Sequence, residues 1–229
     1  QLSIKMTEDE EGKNEIDTFA VSPENTAYLH VETRGPWKIK KDDLPYWLTV
    51  DPELMSGVGS PDPIPVSSDV WNLDFEKQDY DVTCTAEIQD KSDPSVTVTP
   101  AVKTVYKDPF VFKIGENEIE GQGVAKEVLA ALPRKSTNTY ELQVNCSGPW
   151  TMTLEGGDWL NVSDDSAEGT ETLYVGAKSV NPSASESRSI CLNFTSSVHS
   201  EHGKQCVKPL TVTQEKYIFN MFKDGTKDE

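Results

Sequence analysis

The sequence predicts an all-β chain: two tandem immunoglobulin-like β-sandwich domains followed by a C-terminal extra strand. Three observations carry this expectation. Short runs rich in Val, Ile, Thr and aromatic residues alternate with polar positions and are punctuated by Gly, Pro, Asn and Asp. That is the grammar of strands joined by tight turns rather than of βα units. A Gly-Pro-Trp turn occurs twice, as Gly35-Pro36-Trp37 and Gly148-Pro149-Trp150, and each is followed by a second tryptophan signature, Trp47-Leu48-Thr49-Val50 and Trp159-Leu160-Asn161-Val162. Self-similarity of this kind marks a duplicated unit, and 229 residues suffice for two domains of about 100 residues each.

The elements follow in order. Ile4-Lys5-Met6, Phe112-Lys113-Ile114 and Phe219-Asn220-Met221 share an apolar-polar-apolar pattern before an acidic, Gly-containing turn, which reads as the opening strand of each repeat. The segment 124–132 (VAKEVLAAL) has good helix propensity. It aligns, however, with the extended stretch before Phe19-Ala20-Val21-Ser22-Pro23, so it is expected to be extended. Strands are expected at 27–31, 37–39, 81–88, 96–98, 173–175, 189–194 and 210–212. Proline fixes φ and lacks a donor, so Gly-Pro before Trp starts a strand rather than occupying its centre. Polar Gly-containing loops are expected at 56–60 and 168–170, and the repeats close on Val-Thr-Val-Thr at 96–99 and Leu-Thr-Val-Thr at 210–213. The domains therefore read as 1–104 and 105–216, with 217–229 beginning a truncated third repeat or serving as an exchanged strand.

Composition narrows the function classes. The net charge of −18 argues against nucleic acid, whose binders need a basic patch to release counterions, and against anionic membrane surfaces. No apolar run approaches the roughly 20 residues that span a bilayer, so no direct membrane insertion is expected. Gln1 leads almost directly into a strand pattern. The expectation is a processed N-terminus, with an export signal or lipid anchor removed, and a place outside the cell or on the outer-membrane surface.

Four cysteines are too sparse for a disulfide scaffold and lack zinc spacing. Cys191 and Cys206 flank a polar loop at 196–204, and facing positions in a hairpin centred there would make them cross-strand partners. A disulfide between them is one reading, two small buried hydrophobes the other. Cys84 and Cys146 have no evident partner.

The order Gly-Pro-Trp, Trp-Leu-Thr-Val, a Gly loop, an Asn-containing turn and a strand ending Val-Thr-Gln resembles the BACON domain, the Bacteroidetes-associated carbohydrate-binding often N-terminal module. The second half fits better, with Gly148-Pro149-Trp150, Trp159-Leu160-Asn161-Val162, Gly169, Asn181, Arg188 and Val212-Thr213-Gln214. The first half departs from it: its loop from 52 to 65 is longer and Pro-rich, and Thr99-Pro100 stands where the second half has Thr213-Gln214. The resemblance implies an immunoglobulin-like sandwich on secreted or surface-lipidated proteins of gut bacteria, fused to glycan-degrading enzymes or stacked as spacers. It also implies carbohydrate or mucin as the ligand class.

Trp37, Trp47, Trp150 and Trp159 recur at the same places within apolar strands, which is how core aromatics behave. Trp71 has Val180 as its nearest counterpart, so the scaffold does not require it. It lies among Asp69, Asn72, Asp74, Phe75 and Tyr80, a polar-aromatic mix suited to stacking and hydroxyl bonding. Trp71, Phe75 and Tyr80, with Tyr46, are the candidate ligand contacts. Ser166 in Asp165-Ser166-Ala167 resembles an O-glycosylation motif of Bacteroidetes. His199 and His202 fall in a loop without a third ligand, and the acidic clusters at 8–11, 116–120 and 164–165 lack the calcium-loop ladder, so neither metal nor cofactor is expected. No Gly-x-Ser-x-Gly elbow, phosphate loop or HExxH is present, and no enzyme is expected. Two functions compete. One is a module that binds a glycan or host glycoprotein. The other is a stalk or filament-type spacer that presents further domains and joins a neighbouring subunit by strand addition.

Overall fold

The structure, a computed structural model, describes residues 2–40, 44–86, 99–115, 128–132 and 139–216, and of 128–132 the backbone. The expected C-terminal extra strand, the acidic cluster at 116–120 and residues 96–98 lie outside the described residues. Alternation places the strands. In Asn25–Glu32 the side chains of Ala27, Leu29 and Val31 are buried while their neighbours are not, a period of two that lays one face on a core.

The chain divides into two units, Gln1–Phe110 and Val111–Glu229. In chain order the first holds β1 (Ser3–Thr7), β2 (Thr18–Phe19), β3 (Asn25–Glu32), β4 (Pro36–Ile39), β5 (Thr49–Val50), β6 (Ser56–Val58), β7 (Ile64–Ser68), β8 (Gln78–Ala86) and β9 (Ala101–Lys107). They form two sheets, ordered β1-β3-β7-β5 and β2-β9-β8-β4-β6. The second holds β10 (Phe112–Ile114), β11 (Val128–Leu132), β12 (Thr139–Cys146), β13 (Trp150–Glu155), β14 (Leu160–Val162), β15 (Ser166–Ala167), β16 (Glu171–Ala177), β17 (Arg188–Ser196) and β18 (Val207–Gln214). Their sheets are ordered β10-β12-β16-β14 and β11-β18-β17-β13-β15. Strand for strand the two orders are the same. Even the parallel pair recurs, β2 beside β9 and β11 beside β18, among otherwise antiparallel neighbours. The all-β sandwich class is as the sequence predicts.

Of the segment with helix propensity, the described part, Val128–Leu132, is strand β11, paired parallel with β18. Tertiary pairing overrides a weak local preference over so few residues. Other expectations change. The last strand of the first unit is β9, which runs past residue 104, and the unit extends to Phe110. In β9 (AVKTVYK) the alternation is obscured by two lysines, one of which is buried. The Pro-rich stretch after Trp47 is not one long loop. Asp51 caps a 3-10 turn, Pro52–Leu54, by accepting the Glu53 N–H at 2.9 Å, and β6 and β7 follow.

The expected Cys191–Cys206 bridge is also corrected. The connection between β17 and β18 contains a one-turn helix, α1 (Ser197–Glu201), N-capped by Ser196. This helix displaces the pairing from the centred hairpin: Cys191 lies opposite Thr211, and Leu192 opposite Leu210. Cys206 precedes β18 and is buried, whereas Cys191 is half-buried with its thiol on Asn193 Oδ1. No bridge links Cys191 to Cys206.

Candidate ligand-binding site

The four repeated tryptophans are core residues, each 7% exposed or less. Burying an indole requires a partner for its N–H. Trp37 Nε1 donates to the Gly59 carbonyl at 2.9 Å and Trp150 Nε1 to the Gly169 carbonyl at 2.7 Å. The polar Gly loops therefore serve as acceptors for the first tryptophan of each repeat. Gly57 faces Trp37 across the strand pair, and a Cβ there would meet the indole at 3.2 Å. Trp47 packs edge-on to Phe19 at 6.1 Å. Trp159 is covered by the Arg188 guanidinium at 4.7 Å.

Register aligns the rest of the two units. Trp37 lies opposite Ala86 and Trp150 opposite Ser196, while Gln78 lies opposite Lys107 and Arg188 opposite Gln214. At this end of each sandwich a buried asparagine ties the loop to the closing strand. Asn72 Nδ2 donates to the carbonyls of Glu76 at 3.1 Å and Asp108 at 2.9 Å, and its Oδ1 accepts the Asp74 N–H at 3.0 Å. Asn181 does the same with Glu186 O at 2.8 Å, Gln214 O at 3.4 Å and the Ser183 N–H at 3.1 Å. Asn72 and Asn181 are thus equivalent, and the residues around them can be compared place by place.

The cation and the amide exchange strands between units. In the second, Arg188 Nε donates to Gln214 Oε1 at 2.7 Å and its Nη2 to Ser179 O at 2.7 Å. In the first, Lys107 occupies the Gln214 place, fully buried, and its Nζ donates to Ser68 Oγ at 2.6 Å, Ala20 O at 3.1 Å and Ser22 O at 3.2 Å. Burial pushes its pKa down to about 8, with the charges of Asp69 and Asp108 opposing that shift.

On this frame the first unit carries aromatic residues that the second lacks. Trp71 and Phe75 both pack edge-on against buried Phe110, at 6.0 and 6.2 Å. The Phe110 N–H is held by the Asp74 carbonyl at 2.8 Å. Gln78 Nε2 donates to Asp74 Oδ2 at 2.7 Å and to the Tyr46 hydroxyl at 3.4 Å, so Tyr46, Gln78, Asp74 and Phe75 are contiguous. Gln78 Oε1 is buried without a donor among the described residues. Tyr46 is 71% exposed and Phe75 39%. The equivalent places in the second unit hold Asp158, Val180 and Ala184 in place of Tyr46, Trp71 and Phe75.

The candidate contacts therefore divide. Tyr46 and Phe75 present surface, and Trp71 backs them from a half-buried position. Tyr80 is corrected: it is half-buried on β8 and packs against the core cluster, below Gln78 on the strand. Gln78 and Phe110 belong to the group without having been singled out in the sequence. Gln78 carries no local motif, and Phe110 follows the last strand of the unit.

The remaining candidates lie apart. Ser166 is exposed on the short edge strand β15, rather than in a loop, with its hydroxyl on Asp165 Oδ1 at 3.3 Å. His199 and His202 lie on and just after α1. His199 is buried with Nδ1 at 3.0 Å from Ser196 Oγ, and His202 Nδ1 is 2.9 Å from the Val198 carbonyl. Among the described residues no three His, Cys, Asp or Glu side chains converge as a metal site, and no helix is long and apolar enough to cross a membrane.

Fold and site together define a tandem all-β sandwich chain with an aromatic cluster at one end of its first unit. No family model matches the chain, and no curated protein is similar to it in sequence. Among solved structures it is similar to a protein of unknown function from Porphyromonas gingivalis W83, at 10% identity over 92% of this chain and 98% of that one, with a TM-score of 0.31. Cadherin domains 3–6 of protocadherin gamma B2 match at 11% identity over 88% of this chain, which spans 46% of theirs, with a TM-score of 0.37. The periplasmic chaperone SfaE matches at 10% identity over 93% and 99% of the two chains, with a TM-score of 0.28. Likeness this loose bears on neither ligand nor partner.

Proposed function

We propose that the chain is a non-catalytic, extracellular β-sandwich module that binds carbohydrate through the aromatic end of its first unit. The observation that carries this reading is internal. Two units share one frame down to the buried asparagine, and they differ where Tyr46, Trp71 and Phe75 replace Asp158, Val180 and Ala184. An exposed aromatic ring stacks on the C–H face of a pyranose. The exposed carboxylate of Asp74 beside it, oriented by the Gln78 amide, offers an acceptor for ring hydroxyls. The acidic surroundings, Asp69, Asp74 and Glu76, and a net charge of −18 disfavour sulfated or sialylated chains, so neutral glycans, such as those of host glycoproteins, are the expected class. The resemblance to BACON modules agrees with this reading and is itself part of the proposal.

A glycan array followed by titration calorimetry tests it. Tyr46→Ala and Phe75→Ala should each weaken binding about tenfold, the loss of roughly 1.4 kcal/mol of stacking; Tyr46→Ala leaves the thermal transition in place, whereas Phe75→Ala, which also loses its edge contact with Phe110, lowers it. No binding across neutral and acidic panels, or affinity unchanged in the double variant, overturns the proposal. The second reading, a structural spacer that presents further domains, is favoured by the duplication of a complete sandwich, and it is what a silent array would leave standing.

A further inference from the structure

We propose that Cys146 and Cys206 form a disulfide that joins the two sheets of the second unit. Cys146 is the last residue of β12, in one sheet, and Cys206 immediately precedes β18, in the other. Both point inward, at most 6% exposed. They lie at the same end of the sandwich. Cys146 is opposite Phe112 of β10, and β10 also meets β18 across the core. The Cys206 carbonyl accepts the Ser196 N–H at 3.0 Å, Ser196 lies opposite Trp150, and the Ser197 N–H bonds the Pro149 carbonyl at 2.9 Å. The turn that begins at Cys146 is thereby held against the segment that contains Cys206.

Cys206 also bears on the Cys146 thiol. Burial pushes the Cys146 thiol up to about 11, and the charge of Cys206 adds to the shift. The first unit supplies an internal comparison. By the alignment of the Gly-Pro-Trp turns and of the closing strands, the equivalent places hold Thr33 and Thr99. Thr33 is half-buried and Thr99 exposed. The two cysteines are thus present together in one repeat, buried, and replaced together in the other. Cys191, opposite Thr211 and half-buried, is the wrong partner, and Cys84 belongs to the other unit.

The bond forms by exchange with a small-molecule disulfide such as oxidised glutathione. One thiolate displaces a glutathione thiolate to give a mixed disulfide, and the second displaces the other. Two cysteine thiols are oxidised and one glutathione disulfide is reduced to two thiols. A thiol held near 11 attacks slowly in the folded state, so the bridge is made while the unit folds. The loop it closes is long, which favours a large effect.

The test is to refold the full chain from denaturant in a glutathione redox buffer and to map its peptides by mass spectrometry without reduction. Lys178, Arg188 and Lys204 separate the three cysteines of the second unit into distinct tryptic peptides. The expected result is a 146–206 cross-link in the natural chain and equally in Cys191→Ala, with a melting temperature of the second unit about 10 °C or more above that of the reduced form. In Cys146→Ala and Cys206→Ala the difference between oxidised and reduced forms should vanish. A 191–206 cross-link, or three unmodified thiols after refolding, overturns the proposal.

Discussion

Replacing Asn72 by alanine should unfold the first unit at a markedly lower temperature, and the size of the loss follows from the bonds removed. Asn72 is fully buried and makes three hydrogen bonds, to Glu76 O at 3.1 Å, Asp108 O at 2.9 Å and the Asp74 N–H at 3.0 Å. A net hydrogen bond is worth about 1 kcal/mol, and a buried group left unpaired costs about 1–3 kcal/mol. Glu76 is exposed, so water can replace its partner, and the cost concentrates on Asp108 and Asp74. The sum is about 3 kcal/mol, or about 12 °C in the transition of a unit this size. Asn72→Asp keeps the shape but turns the donor into a carboxylate facing two carbonyl oxygens, and it should be worse than alanine at neutral pH. Scanning calorimetry of the full chain reads both, and Asn181→Ala should produce a comparable loss in the second unit. A fall of under about 4 °C for Asn72→Ala would refute the reasoning, because the loop would then reach water without its anchor.

Two further outcomes follow from the exchanged cation and amide. Lys107 is held down to about 8 from its ordinary 10.5. Between those values the unfolded chain binds the proton and the native chain does not, so stability gains up to about 1.4 kcal/mol per pH unit as pH rises through that window. The cost of burying the charge is therefore fully felt below pH 8. In thermal melts the natural chain should gain on Lys107→Met as pH rises through that window, and a pH-independent difference between them would count against a buried ammonium. Arg188→Lys should destabilise the second unit by about 1–2 kcal/mol, because an ammonium cannot cover the Trp159 ring and hold Gln214 and Ser179 at once. An unchanged melting temperature would assign the guanidinium no structural role.

Much of the frame can be read from local chemistry. The Gly-Pro-Trp turns, the second tryptophans and the alternating runs around Leu29, Leu142, Val175 and Leu192 report burial directly, because a strand exposes its environment with a period of two. Duplication doubles that signal: a tryptophan repeated at one place in two units is a core tryptophan. The same comparison singles out Trp71 as unexplained by the scaffold. What local chemistry does not supply is register. A polar loop read as symmetrical pairs Cys191 with Cys206, and one turn of helix after Ser196 slides Cys191 to Thr211 instead. The closing strand of the first unit is hidden for a related reason. A buried lysine, acceptable where three oxygens surround its ammonium, reads in sequence as a surface residue.

Composition and period along the chain carry the fold class, the duplication and the tryptophans of the interior. Which residues meet is visible in three dimensions and not before: Gln78 lies between Asp74 and Tyr46, Phe110 backs Trp71 and Phe75, and Cys146 and Cys206 share one end of a sandwich. Those contacts join residues far apart in sequence. Their geometry is set by strand register and sheet order, and neither leaves a mark on the neighbours of any single residue.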